Sequence, residues 1–542
     1  MSGVQNTVGI VTITGDIGGT SAETLKITGV NGLLTTGANV VDIIDASALT
    51  ATGTGTTTTT AAFAMTAAGS ATTITGSAGI DILYTSASSS SVSGGDGTDS
   101  ITSGAGNDTI LGGAGADTII AAAGNDSIDG GAGNDRIEIS GLTSNDTIAG
   151  GDGTDTLSIT ATYTDGAALA SAVSGFEVLD LATTGTQAVV MSNFINNPTF
   201  TRIDFGQLGG GTATVTNVPA LVTDVRLLVG AAADTIVYDM LIDNSANAVS
   251  ISSRGVLTGV GVAIVAYTDL DSETINISGS SSANDLTITT LTVADLTTLN
   301  VTGDADIVLS SIAGATKLAT ANASTSTGVV TIDGSTSVAS TTATGGSGVF
   351  TYTGGYLADS ITGGTNGDFL AGATGNDTIS GGTGADSITG GAGADSMTGG
   401  SGIDTFTVAS GSSSVLTASS IADSVTFLVA AGDTITFGSG IDVITDFTSG
   451  TDILNTGATA GAVTSLIGAD STALTATTNY YASGTYIPST GQFIIAANAG
   501  GADTLIIDAQ SSTAVLTTNT SMVVIIGVLS STIVTNVAND FA

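Results

Sequence analysis

The chain has 542 residues, no cysteine, no histidine and no tryptophan, and a formal net charge of −41 set by 47 acidic against 6 basic side chains. Those figures exclude a disulfide framework, a thiolate nucleophile and a Cys-ligated metal, and they oppose nucleic-acid binding, which needs a basic footprint. The length points to several domains, and no apolar run reaches a membrane-spanning length. The acids are almost all aspartate, the glutamates being Glu23, Glu138, Glu177 and Glu273. Such a chain can dock on an anionic surface only where divalent ions bridge the gap.

Residues 1–65 read as short strands at Gly9–Thr14, Leu25–Thr28 and Val40–Ile44, with a linker-like run at Thr52–Thr60. This segment is expected to cap a solenoid, or to serve as an anchor or lattice contact. The opening MSGVQNTVGIVTITGD has neither a basic region nor an apolar core, so no N-terminal signal peptide is expected.

Residues 66–158 hold a nine-residue repeat. From Gly94 to Glu138 the units are GGDGTDSIT, SGAGNDTIL, GGAGADTII, AAAGNDSID and GGAGNDRIE. Position six is Asp99, Asp108, Asp117, Asp126 and Asp135; position eight is Ile101, Ile110, Ile119, Ile128 and Ile137. A fainter unit carries Asp81 and Leu83, and the nine residues after it keep the length but lose the aspartate. Two extra residues, Ile139 and Ser140, interrupt the count before Asp146 and Asp155 resume it, which should distort one edge locally.

The chemistry follows from the spacing. The x-U-x half is a short strand with one inward apolar residue, and the glycine-rich half turns the chain sharply. Two units make one turn of a flattened coil, so Asp99 comes near Asp117, and Asp108 near Asp126. Stacked carboxylates repel unless a cation lies between them. Calcium, which takes six to eight oxygens from carboxylates and carbonyls, fits. A one-residue core is too thin to fold alone, so metal binding must supply much of the folding free energy.

Across 159–344 a longer period appears. Apolar segments recur at Val178–Leu181, Arg202–Phe205, Val225–Val229, Val249–Ser252, Thr274–Ile277 and Leu299–Thr302, with a second series interleaved from Val189–Met191 to Asp306–Leu309. Two series with one shared spacing predict a parallel β-solenoid; a β-sandwich is the alternative. Helical periodicity is weak, Ala167–Val173 being the best short candidate.

The second array, 345–407, carries Asp359, Asp368, Asp377, Asp386, Asp395 and Asp404 at position six. Its leading unit has Phe350 there instead, and should stack without holding an ion. Residues 408–542 form a β-rich C-terminal domain.

The two arrays resemble the calcium β-roll of RTX proteins, whose repeat is GGxGxDxUx. The segment GIDVITDFTSGTDIL resembles the one that closes β-rolls in that family, with Asp442, Asp446 and Asp452 on its acidic positions. The stretch from Asp503 to Ala542 is similar to the C-terminal end of Caulobacter-type S-layer proteins, and VSGFEVLDL and SETINISG resemble their recurring strands. The resemblance implies type I secretion through an uncleaved C-terminal signal, and Ca2+-dependent assembly with itself into a two-dimensional lattice on the cell exterior. Cell-surface polysaccharide or lipopolysaccharide, reached through calcium, is a further partner it suggests.

The expected fold is thus all-β: a parallel β-solenoid with two calcium-binding β-rolls and a β-rich C-terminal domain. The expected role is a structural coat, with roughly six to twelve ions if each pair of stacked edges holds about one site. No enzyme is expected, since a zinc protease motif and a Ser-His-Asp triad both need histidine. The few aromatic residues do not suggest a sugar platform for paired aspartates. An RTX adhesin or matrix filament is the rival reading. An ice-binding face would need regular T-x-T ranks, and the threonines look too irregular in sequence for that.

Overall fold

The computed structural model describes residues 24–29, 33–34, 43–49, 63–66, 73–85, 88–161, 163, 173–182, 185–206, 211–228, 234–241, 247–253, 262–269, 271–279, 285–407, 416–418, 434–437, 442–445, 453–455, 463–465, 478–487, 492–495, 503–509 and 520–525. Two compact units divide the chain, Met1–Asp243 and Asn244–Ala542.

In the first unit the repeats coil as their spacing demands. Ser91–Asp96, Thr109–Ala114, Ser127–Ala132 and Thr147–Asp152 pair in parallel in one sheet. Ser100–Thr102, Thr118–Ala121, Arg136–Ile139 and Thr156–Ile159 pair in parallel in a second. Ile101 faces Ile119, and Ile119 faces Ile137, so one turn is two nonapeptides. Side chains alternate across a strand, which buries Val92, Ile110, Ile128 and Ile148 from one sheet against Ile101, Ile119, Ile137 and Leu157 from the other. Ile139 stays in its strand, paired with Ala121 and Ile159, and the two additional residues are taken up after it, ahead of Asp146. Arg136 still pairs with Thr156, twenty residues on, in unbroken register.

The longer-period strands fall where the sequence put them. Val178–Leu181, Arg202–Phe205 and Asp224–Leu227 extend the second sheet in parallel. The interleaved series Gln187–Val190, Thr212–Val218 and Thr235–Met240 forms a third. The sandwich alternative is therefore excluded. The wider turns enclose more space, and aromatics fill it: Phe176, Phe194, Phe200 and Phe205 are buried, with Phe194 and Phe200 edge to face at 5.6 Å. Of the helical candidate, Val173 lies in the strand Val173–Ser174 and its other residues lie outside those described. So does the strand expected at Gly9–Thr14.

The second unit repeats the plan. Ala248–Ser253, Thr274–Gly279, Thr298–Gly303, Thr320–Ser326, Thr342–Thr344, Ser360–Gly364, Thr378–Thr383 and Ser396–Ser401 form one parallel sheet. The opposing sheet runs from Val262–Asp269 to Thr405–Thr407. The turn shortens along this unit. Thr274 pairs with Thr298, Thr320 with Thr342, and Ser360 with Thr378, steps of 24, 22 and 18 residues. Further on, Thr478–Ile487, Asp503–Ala509 and Thr520–Ile525 pair antiparallel, and Asp442–Ile444 joins Thr520–Ile525 in parallel.

The regular T-x-T ranks that an ice-binding face would need are not formed here, because Asn276, Asn300 and Asn322 stand two residues beyond their threonines. Thr274, Thr298, Thr320 and Thr342 stand in register on one face. The changing step scatters these threonines along the chain, but the loops take up the differences and the ladder hydrogen bonds restore the rank. Among the described residues no helix is long and apolar enough to cross a membrane.

Candidate metal centres

Position six lies two residues before the inward apolar residue, so strand alternation turns its side chain inward as well. The carboxylates are therefore buried rather than solvated: Asp99, Asp117, Asp135, Asp377 and Asp386 are at most 2% exposed.

One oxygen of each carboxylate is held by the backbone of the turn before. The N–H of Asp81 donates to Asp99 Oδ1 at 2.7 Å. Asp99 donates to Asp117, Asp117 to Asp135 and Asp135 to Asp155, each at 2.8 Å. On the opposite edge Ser90 donates to Asp108 at 2.8 Å, Asp108 to Asp126 at 2.9 Å and Asp126 to Asp146 at 2.8 Å. In the second roll one row runs Thr341, Asp359, Asp377, Asp395, Asp442. The other runs Phe350, Asp368, Asp386, Asp404. Phe350 thus takes the aspartate's place as a buried coil residue. Asp442 stacks on Asp395 across 47 residues.

The second oxygen is different. Oδ2 of Asp99, Asp108, Asp117, Asp135 and Asp155 is buried without a hydrogen-bond partner, as is that of Asp368, Asp377, Asp386 and Asp395. A buried acceptor left so costs free energy, and a charged one more. The repeat glycine leaves a cradle beside it. A Cβ on Gly112 would meet Asp117 Oδ2 and the Gly130 carbonyl; on Gly130 it would meet Asp135 Oδ2 and the Gly150 carbonyl. In the second roll a Cβ on Gly372 would meet Asp377 Oδ2 and the Gly390 carbonyl, and one on Gly381 would meet Asp386 Oδ2 and the Gly399 carbonyl. Carboxylate and carbonyl oxygens converging without nitrogen or sulfur suit a hard cation. Among the described residues no three acidic groups converge on one point, so peptide carbonyls must complete much of any shell of six to eight oxygens.

Three of the sequence-predicted residues are already engaged. Asp81 Oδ2 accepts the Ser77 N–H at 2.5 Å, Asp359 Oδ2 accepts the Gly355 N–H at 2.8 Å, and Asp146 Oδ2 accepts the Thr143 N–H at 2.6 Å. The first two open their arrays and the third follows the two-residue slip, so these carboxylates serve their own turns. Asp126, Asp404 and Asp442 are buried within the rows. Asp446 and Asp452 lie outside the described residues.

The two edges of the first roll are not equivalent. On the Asp99 edge Gly95 and Gly97 sit at φ 114° and 128°, a region closed to most side chains, and the pair recurs at Gly113 and Gly115. On the Asp108 edge neither Gly106 nor Gly124 has positive φ. The second roll shows the left-handed pair on both edges, at Gly382 and Gly384 and at Gly391 and Gly393.

Two glutamates escaped the sequence reading. Glu177 Oε2 accepts the Asp155 N–H at 2.8 Å, and Glu273 Oε2 accepts the Asn247 N–H at 2.8 Å. Glu177 continues the Asp99 row across a 22-residue step, and Glu273 makes the same kind of contact across 26 residues, from an asparagine rather than an aspartate; the additional methylene gives the reach. The frame Glu177-Val178-Leu179 matches Asp155-Thr156-Leu157, and that was the available signal.

Residues 75–110, 104–137, 138–158, 353–386 and 371–406 match the family model described as the RTX calcium-binding nonapeptide repeat (4 copies). The chain carries RTX calcium-binding repeats. No curated protein matches it. RTX repeats bind multiple Ca2+ ions, and the aspartate ladder they use is present in both rolls. Proteins with such repeats are generally exported by type I secretion and act outside the cell.

Electrostatics in the RTX rolls make folding and calcium interdependent. Burial pushes the Asp99 and Asp377 carboxyls up to about 7, although each accepts a backbone N–H that lowers it, and neighbouring aspartates add to the rise. Burial likewise raises Asp117, Asp126, Asp155 and Asp368 to about 6. A folded-state pKa above the unfolded value means that stability is lost as pH rises through the folded value. Without calcium, the coiled fraction is therefore expected to fall between about pH 4 and about pH 7. With calcium the direction reverses, because the ligands must be deprotonated to bind. Circular dichroism across that range, with chelator and with calcium, checks both signs.

Proposed function

We propose that this chain is a structural surface-layer protein that folds on meeting calcium outside the cell and assembles with itself into a two-dimensional coat. The observation that carries the reading is the buried row of carboxylates whose Oδ2 atoms have no partner in the protein. Such rows disfavour the compact state wherever calcium is scarce. A chain of net charge −41 whose rolls have a core one residue deep then stays open enough to be threaded through a secretion channel. Outside, calcium binds the folded form and draws the equilibrium over by mass action, while cancelling part of the charge that keeps copies apart.

The C-terminal stretch similar to Caulobacter-type surface-layer proteins supports the coat over a soluble role, and no catalytic turnover is assigned. Attachment would run through calcium bridges to anionic polysaccharide or lipopolysaccharide. Electron microscopy of the purified chain is the test. Ordered sheets are expected with millimolar calcium and none with chelator. A protein that folds with calcium but stays monomeric until offered a ligand would be an adhesin instead.

A further inference from the structure

Sheets of this chain need a contact between molecules that each carry net charge −41. The second unit has a face with no charge at all. Thr274–Gly279, Thr298–Gly303, Thr320–Ser326, Thr342–Thr344, Ser360–Gly364, Thr378–Thr383 and Ser396–Ser401 stand side by side in one sheet, and none of them contains an Asp, Glu, Lys or Arg. Their inward residues, such as Ile275, Leu299, Ile361 and Met397, are buried.

The outward residues form two rows. One is Thr274, Thr298, Thr320 and Thr342, continued by Ser360 and Thr378. The other is Asn276, Asn300, Asn322, Thr344, Thr362 and Ser380. The second row is cross-linked within itself, Asn300 Nδ2 donating to Asn276 Oδ1 at 2.8 Å. The outward face of the first unit's second sheet is the opposite case. It carries Arg136, Asp180, Arg202 and Asp204, joined as ion pairs between Arg136 and Asp180 at 2.6 Å and between Arg202 and Asp204 at 2.8 Å.

We propose that this uncharged hydroxyl and amide face is where one copy of the chain meets the same face of a second copy. The inference rests on the coat reading. Like charges repel over a screening length of about 10 Å, so two such molecules approach most cheaply where neither presents charge. Hydroxyls and amides both donate and accept, so rows of them can complement a copy of themselves, as rows of carboxylates cannot. Strands about 4.8 Å apart make the seven-strand face about 29 Å long, and two rows make it about 10 Å wide. That is well below the ~800 Å² per partner of a stable pair. Each copy meets one partner through this face, so the contact is weak alone and builds a sheet together with the other contacts of the coat.

Two experiments on the full chain in calcium test this. Thr344 lies mid-face on the second row, and the protein has no cysteine. A Thr344→Cys variant treated with a short bismaleimide should give cross-linked dimer severalfold above Thr351→Cys, on the opposite sheet of the same unit. Equal yields would overturn the proposal, and a carbohydrate covering the face would give that result. In electron microscopy, Thr344→Asp and Thr344→Lys should each lose ordered sheets while keeping the parental calcium midpoint of folding, and their equimolar mixture should regain them. Sheets from either variant alone, or none from the mixture, would also overturn it. If the parent forms no sheets yet Thr344→Cys cross-links selectively, the coat reading falls and the self-contact stands.

Discussion

Excess chelator is expected to collapse both rolls. The inward side of each turn offers one apolar residue per nonapeptide, as in the stack Ile101, Ile119, Ile137 and Leu157. Beside that stack runs a row of carboxylates with Oδ2 unpartnered. Removing the cation leaves the charges buried and uncompensated, and breaking a buried pair from one side costs several kcal/mol. Repeated along an edge, that exceeds the whole stability of an ordinary domain, about 5–15 kcal/mol. The rolls' share of the β signal in circular dichroism should be lost in chelator, their protease resistance should go with it, and both should return when calcium is restored. A compact, resistant molecule in chelator would mean that the rows are held by something other than metal.

Alanine at both Asp377 and Asp386 is the second large effect. The two residues sit on opposite edges of the second roll, each with a buried and unpartnered Oδ2 beside a glycine cradle and a carbonyl of the next turn. A site filled at a hundredfold above its dissociation constant contributes about 2.7 kcal/mol, so losing one on each edge should raise the calcium midpoint of folding by well over tenfold. Each alanine also removes the acceptor that fixes the turn before, at Asp359 and at Asp368. Asp359→Asn is the useful comparison, because Asp359 Oδ2 is already bound to the Gly355 N–H and its change should move the midpoint far less. An unchanged midpoint in the double variant would remove these aspartates from the ligand set.

Much of this was legible in the residues. A fixed nine-residue period with aspartate two places before a β-branched residue leaves one way to bury the apolar face, and that way stacks the aspartates. The longer period was readable because apolar strands cannot hide alone; Val178–Leu181 and Arg202–Phe205 pair as their spacing implied. Glu177 and Glu273 were missed because their role depends on how far apart two turns come to lie. The inequality of the first roll's edges was hidden too. Gly106 and Gly97 hold the same place in their nonapeptides, two residues before the aspartate, but only Gly97 takes positive φ.

By itself the sequence determined the class of fold, the coil of two nonapeptides and the hard-cation chemistry, because periodicity and side-chain type act locally and every unit repeats the same local instruction. Only the tertiary structure decided which aspartate oxygens are spent on their own turns and which remain for metal. It alone aligned threonines and serines separated by 24, 22 and 18 residues into one uncharged face. Both outcomes depend on the register between turns, which is set by ladder hydrogen bonds between residues far apart in the chain, while loops of unequal length absorb the difference.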